Sequence, residues 1–276
     1  MLAQMGIHRR VRQLVPTDRA ALWLPLDEAL IAGPRGWLSD PRTLLVPDVV
    51  RYLTGVLAFR GTLTTCRSEI VDVPVVMNLS ASTIRHEHTR KVPVGTIADA
   101  LRAGAQAIAW HINVTSLFES ESLRHMGRLA TKAEAMGLPV VAMAYPRTSR
   151  PDGKDENYLD LRAEDPEAFT ELVRHCVRIA VELGASVVKT CYTGSVESFS
   201  TVVSAAVGVP VLIAGERLVD TGEAIAKAQS AIRAGAAGVA YGRQIFERSD
   251  PVAFVEKLHH AMRDERMDML EANGRD

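Results

Sequence analysis

The sequence predicts a single-domain α/β fold, a (β/α)8 TIM barrel spanning residues 1–276, on three observations. Eight short apolar runs recur along the chain, each leads into a polar break and then a helical pattern, and no linker or shift in composition divides them. All-parallel barrels commonly use about 250 residues as one domain, so the length of 276 residues requires no split.

The runs are ALWLPLD (21–27), GVLAF (55–59), PVVMNLS (74–80), AIAWHIN (107–113), PVVAMAY (139–145), SVVKTCY (186–192), PVLIAG (210–215) and GVAYG (238–242). They are continuously apolar rather than alternating, which is what strands covered on both faces need. Helical periodicity fills the spaces between them, in 96–105, 121–137, 166–184, 196–208 and 222–235. The first of these starts on a capping residue, Thr96, and the third near Pro166. Gly104, Gly137, Gly184, Gly208 and Gly235 stand at or near the far ends, the usual punctuation of helices. No Gly-rich dinucleotide fingerprint follows the first run, which argues against an open doubly wound sheet. The stretch 147–165 is irregular and long, and reads as a lid or active-site loop. Residues 1–20 are expected to cap the barrel, and 264–276 to form a polar, fraying tail.

Composition excludes several functions. Thirty-two basic and 33 acidic residues leave a formal net charge of −1, so no nucleic-acid partner and no membrane surface is advertised. No apolar run approaches the roughly 20 residues that span a bilayer. The opening residues lack the uninterrupted apolar core of a secretory signal. Cys66, Cys176 and Cys191 share no CxxC spacing, and their odd number fits a reducing cytoplasm better than a disulfide framework.

Active sites of such barrels lie at the carboxyl ends of the strands. Those ends carry Asp27, Arg60, Asn78, His111, Asn113, Tyr145, Lys189, Gly215, Glu216, Gly242 and Arg243. Lys189 stands out: of six lysines it alone lies inside an apolar run, after Val187 and Val188. An ammonium removed from water either loses its proton readily or finds a counter-ion. In the first case the neutral amine attacks a carbonyl and forms an imine. In the second, Lys189 is a structural partner of a carboxylate such as Asp27. Tyr145 ends the adjacent run, and neighbouring strands are about 5 Å apart, so both side chains can face one cavity. A phenol there can move protons, or be an ordinary rim tyrosine. Gly215, Gly242 and Arg243 suggest an anion site after the last two strands, where barrels often hold phosphate.

Weaker signals complete the list. His111 and Asn78 are candidate substrate contacts, His111 being equally readable as a rim histidine. His86, Glu87 and His88 read as solvated rather than as metal ligands, since no third partner follows. Neither a metal nor an organic cofactor is expected. Cys191 follows Lys189 by two residues and reads as inert packing.

Taken in order, these motifs resemble the archaeal-type class I fructose-bisphosphate aldolase family, which includes the 2-amino-3,7-dideoxy-heptulosonate synthases. ELGASVVKTCYTGSVESF (182–199) resembles the family's lysine strand, and residues 209–251 its phosphate-binding end. GLPVVAMAYPR (137–147) is similar to the tyrosine strand and LPLDEALIAGP (24–34) to the first. The resemblance implies a homo-oligomeric barrel in which Lys189 forms the Schiff base, Tyr145 transfers protons and Asp27 is the first-strand acid. It also implies that Gly215, Gly242 and Arg243 hold the phosphate of a ketone donor.

Five positions depart from the family pattern. Glu28 and Ala29 replace the usual His-Gly, Thr148 replaces glycine, and Ser186 stands where Asp is usual. Glu216 takes the place of the second of two glycines, bringing a carboxylate to the expected phosphate site. Lysine chemistry is retained while substrate recognition is altered. The expectation is a specialised, biosynthetic class I aldolase acting on a phosphorylated ketone such as dihydroxyacetone phosphate and on an aldehyde. A thiolase- or transaldolase-like transfer by the same lysine, and a non-catalytic metabolite-binding barrel, are the alternatives.

Overall fold

A computed structural model describes residues 2–148 and 158–273. Eight parallel strands close into a barrel: β1 (Ala21–Pro25), β2 (Gly55–Ala58), β3 (Val75–Asn78), β4 (Ala107–Val114), β5 (Val140–Pro146), β6 (Val187–Thr190), β7 (Val211–Ala214) and β8 (Gly238–Ala240). All eight expected strands form, most of them trimmed by one or two residues at an end. The polar rim residues Asp27, Ser80, Cys191 and Gly215 leave the ladder where the chain turns toward the next helix.

Closure occurs where β1 pairs with β2 on one side and β8 on the other, in the registers Trp23↔Gly55 and Ala21↔Gly238. Gly238 has φ +153°, and a Cβ there would lie 2.0 Å from the Ala21 carbonyl oxygen, so only glycine permits this seam. Every barrel strand is buried along its whole length, which accounts for the unbroken apolar runs.

Helices wrap the outside. Ile97–Arg102 is capped reciprocally by Thr96 and Asp99, and Val196–Ala205 by Ser195 and Ser198. Pro166–Glu182 starts on Asp165, whose side chain accepts from the Ala168 N–H. The N-terminal helix Leu2–Leu14 ends against the amino-terminal side of the barrel. There the Leu14 carbonyl accepts from Trp23 Nε1 at 2.8 Å and Thr54 Oγ1 at 3.0 Å.

Two expectations need correction. The stretch after Arg263 is helical, because Pro251–Asn273 is one continuous helix anchored by buried Phe254, Val255, Leu258 and Met262. Its polar continuation adds hydrogen-bonded turns to a nucleus already formed. Of the expected irregular stretch 147–165, residues 149–157 lie outside the described residues, and Tyr158–Glu164 is a helix. Between β3 and β4, the short antiparallel strands Ser80–Ala81 and Val92–Pro93 form a ribbon. No helix among the described residues is long and apolar enough to cross a membrane.

Candidate active site

One cavity of about 240 Å³ opens at the carboxyl ends of the barrel strands. It gathers Asp27, His111, Tyr145, Lys189, Gly215, Glu216, Gly242 and Arg243, eight of the eleven strand-end residues named from sequence. Asn78 stands behind Asp27 and holds it. Arg60 does not line the cavity; it is exposed, with Nη1 4.0 Å from Asp99. Asn113 is buried beneath the ribbon and donates to the Thr89 carbonyl at 2.9 Å.

Lys189 is the third residue of β6, in register with Met143 of β5 and Leu212 of β7. It is only 8% exposed. Among the described residues its ammonium makes no hydrogen bond and no ion pair within 4.0 Å, so the structural pairing with Asp27 is not formed. Burial pulls the Lys189 pKa below that of an ordinary lysine. Asp27 and Glu28 oppose this, and the positive charges of Arg243 and Arg147 reinforce it.

Asp27 follows β1 at the N-cap position of the helix Glu28–Ile31, yet its carboxylate makes no capping bond. It accepts instead from Asn78 Nδ2 at 2.8 Å. Burial raises its pKa, the nearby Lys189 and the Asn78 bond restrain the rise, and Glu28 adds to it. Asn78 Oδ1 in turn accepts from the Ser80 N–H at 3.0 Å and the Ser80 hydroxyl at 3.1 Å. Ser80 Oγ lies 2.8 Å from His111 Nδ1. A backbone N–H can only donate, so the Asn78 amide orientation is fixed and its NH2 faces the carboxylate. The chain Asp27–Asn78–Ser80–His111 thus links the ends of three strands. Burial drives the His111 pKa well below its usual value, and the charges of Lys91 and Lys189 push the same way, so the imidazole is neutral.

Tyr145, on β5, is 7% exposed, and burial holds its phenol well above the ordinary pKa, so it is a protonated O–H. Its ring stacks at 6.4 Å on Tyr158, a residue that nothing in the sequence singled out. Arg147 lies beside both rings, 5.8 Å from the Tyr145 centroid and 5.7 Å from that of Tyr158.

The β7–β8 end answers the question that Glu216 raised. Glu216 has φ +55°, the left-handed conformation in which glycine is at ease. Its side chain is 4% exposed and is held by two cations, Arg162 Nη1 at 3.0 Å and Lys227 Nζ. The loop is clamped by Gln244 Nε2, which donates to the Gly215 and Arg217 carbonyls. Arg243 lines the cavity and makes no ion pair within 4.0 Å with a described residue.

Several lining residues were not expected. Glu28, Arg35, Arg147, Tyr158 and His88 all border the cavity. His88 corrects a reading: it is buried rather than solvated, with Arg147 Nη1 3.4 Å from its Nε2, because the ribbon folds over the cavity. Cys191 is fully buried, and burial pushes its thiol up to about 12, consistent with packing. Among the described residues no group of three or more His, Cys, Asp or Glu is arranged to hold a metal ion.

Fold and cavity place the molecule among the β/α-barrel enzymes that transform small polar molecules at the carboxyl-end rim. Comparison with known proteins supplies the family: a DeoC/LacD family aldolase model matches residues 51–248. The chain belongs to this family and is an enzyme of the class I aldolase type. It is 33% identical to a 2-amino-3,7-dideoxy-D-threo-hept-6-ulosonate synthase of Halobacterium salinarum, over 91% of this chain and 89% of that one. It is 32% identical to a 2-amino-4,5-dihydroxy-6-oxo-7-(phosphonooxy)heptanoate synthase of Streptomyces griseus, over 90% and 87%. An archaeal fructose-1,6-bisphosphate aldolase, solved with its catalytic lysine covalently bound to a carbinolamine intermediate, superposes with a TM-score of 0.81 at 25% identity. The alignment covers 93% of this chain and 99% of that structure.

Proposed function

We propose that this enzyme joins a three-carbon phosphorylated ketone to an aldehyde bearing an amino-acid end, through an imine on Lys189. The observation that carries the proposal is a buried amine with no hydrogen-bond or ion-pair partner among the described residues, opening onto the same cavity as Asp27 and Tyr145.

The Lys189 amine adds to the ketone carbonyl to give a carbinolamine, and loss of water gives the imine. The protonated imine withdraws electrons from the adjacent carbon, whose proton passes to Asp27 or to a base relayed by Tyr145. The enamine then attacks the aldehyde carbon, forming the carbon–carbon bond while the aldehyde oxygen takes up a proton. Water hydrolyses the new imine, releasing the product and the free lysine. The imine is the electron sink, so the scheme calls on no metal or organic cofactor.

Two lines support the substrates. The products named for the relatives are seven-carbon 2-amino acids with a ketone at carbon 6. Breaking such a product between carbons 4 and 5, a retro-aldol cut, leaves a three-carbon ketone and a four-carbon 2-amino-4-oxo acid. The cavity has complementary groups: Arg243 with Gly215 and Gly242 for a phosphate, Glu28 for an ammonium, and Arg35 and Arg147 for a carboxylate. Carbon 7 is deoxygenated in the first product and bears a phosphonooxy group in the second; with Arg243 in the cavity, the second makes dihydroxyacetone phosphate the proposed donor.

The test is incubation with dihydroxyacetone phosphate and borohydride, followed by peptide mass spectrometry. A reduced adduct on Lys189, absent from Lys189→Ala, is expected. Turnover by Lys189→Ala would remove the proposal, and an adduct only with unphosphorylated ketones would revise the donor.

A further inference from the structure

We propose that Glu216 is a positioning residue, which shapes the cavity wall through Arg162 and Tyr158 rather than by touching the donor. The inference rests on the reaction proposed above and adds a specificity device to it. Three observations carry it. First, the Glu216 carboxylate is almost wholly buried and both its oxygens accept from Arg162 Nη1, at 3.2 Å and 3.0 Å, with Lys227 on the second. Two cations neutralise this acid and occupy three of its roughly four acceptor positions, so it has little left with which to repel or bind a ligand. Second, Arg162 belongs to the seven-residue helix Tyr158–Glu164, and the same Nη1 also donates to the Tyr192 carbonyl at 3.0 Å. One guanidinium thus ties this helix to the chain just beyond β6 and to the residue just beyond β7. Third, Tyr158 opens the helix and lines the cavity, its ring parallel to Phe169 (6.3 Å, 2°) and stacked on Tyr145 (6.4 Å, 23°).

No residue of the helix is fully buried; Tyr158 and Leu161 pack partly buried against the core, and Arg162 adds the polar tether. Short isolated helices are marginal in water, so its position depends on what anchors it. Removing the carboxylate leaves Arg162 and Lys227 facing one another with no counter-charge between them. The helix then loses its tether, and Tyr158 its fixed place beside Tyr145. Glu216 therefore acts on substrate fit at one remove.

The experiment compares Glu216→Gln, Arg162→Gln, Tyr158→Ala and the double variant Glu216→Gln/Tyr158→Ala by three readouts. These are steady-state kinetics, borohydride trapping on Lys189, and hydrogen exchange of the amides of 158–164. Expected for Glu216→Gln is a rise in KM of about tenfold with kcat within about threefold, the scale of one lost substrate hydrogen bond. Exchange in 158–164 accelerates, and trapping at saturating ketone persists. The double variant is no worse than the worse single one, since both act through the Tyr158 ring. Arg162→Gln, which leaves Glu216 paired with Lys227, reproduces the effect should Glu216→Gln fold poorly. Unchanged exchange in both variants overturns the inference, as does a multiplicative double variant. A shifted preference between dihydroxyacetone phosphate and dihydroxyacetone, with exchange unchanged, would put Glu216 in the donor site itself. Failure of the wild-type enzyme to form any Lys189 adduct would strike the proposed reaction instead, and the exchange readout would still decide the tether.

Discussion

Asn78 Nδ2 donates to Asp27 Oδ2 at 2.8 Å, binding the acid beyond β1 to the last residue of β3. A hydrogen bond to the ionised form lowers a carboxyl pKa, and here it works against the rise that burial imposes. Asn78→Ala should therefore raise the Asp27 pKa further. If Asp27 must be ionised to take a proton, activity is lost as pH falls through that pKa. The acid limb of kcat/KM should then move to higher pH. A limb that stays in place would show that the reaction does not depend on this carboxylate.

On the alkaline side the sign reverses. Imine formation needs neutral Lys189, whose pKa burial lowers from the ordinary 10.5. The initial rate of borohydride-trapped adduct should rise with pH and level off below 10.5. Asp27 opposes the lowering, so Asp27→Asn should shift the inflection to still lower pH. A shift upward would mean that the two groups are not coupled as the geometry implies.

Tyr145 offers a protonated phenol to the cavity. In Tyr145→Phe, kcat should fall by about 10²- to 10⁴-fold, the usual contribution of a positioned proton-transfer group. The Lys189 adduct should still be trapped, because the lysine and its surroundings remain. Undiminished turnover would return Tyr145 to the status of a rim residue.

The seam between β1 and β8 has no room for a side chain at Gly238. Gly238→Ala places a methyl group 2.0 Å from the Ala21 carbonyl oxygen and 2.5 Å from its nitrogen, both backbone atoms that cannot turn aside. The barrel should lose more than about 3 kcal/mol, by strain and by loss of ladder hydrogen bonds. Denaturant unfolding measures this; a midpoint near that of the wild type would show that the seam can open without cost.

Much of this was legible in the chain. Strands buried on both faces must be written as unbroken apolar runs, so 139–145 and 186–192 announced β5 and β6 and left Lys189 conspicuous. The carboxyl ends of the strands then supplied Asp27, Tyr145 and Arg243, because active-site chemistry in a barrel has few other places to stand. Contacts made by segments without a pattern were not legible. Tyr158 and Arg162 lie in a polar stretch, and their short helix takes its place as much from ion pairing and ring stacking as from its brief apolar face of Tyr158 and Leu161. His88 looked solvated for the same reason: only the pairing of Ser80–Ala81 with Val92–Pro93 carries it over the cavity. The final helix was curtailed because its last turns bury little, although the residues before them do.

The left-handed backbone at Glu216 has a historical consequence. A side chain costs about 1 kcal/mol or more in that conformation, and a lone buried carboxylate costs several more. A lineage starting from glycine at this position could not accept glutamate first without paying both penalties together. Arg162 or Lys227, each still partly open to solvent, could arrive earlier at small cost and wait. Such a route runs cation before anion. With all three residues in place, losing one cation leaves the glutamate paired with the other, while losing both strands it, so the triad tolerates change at either cation but not at both.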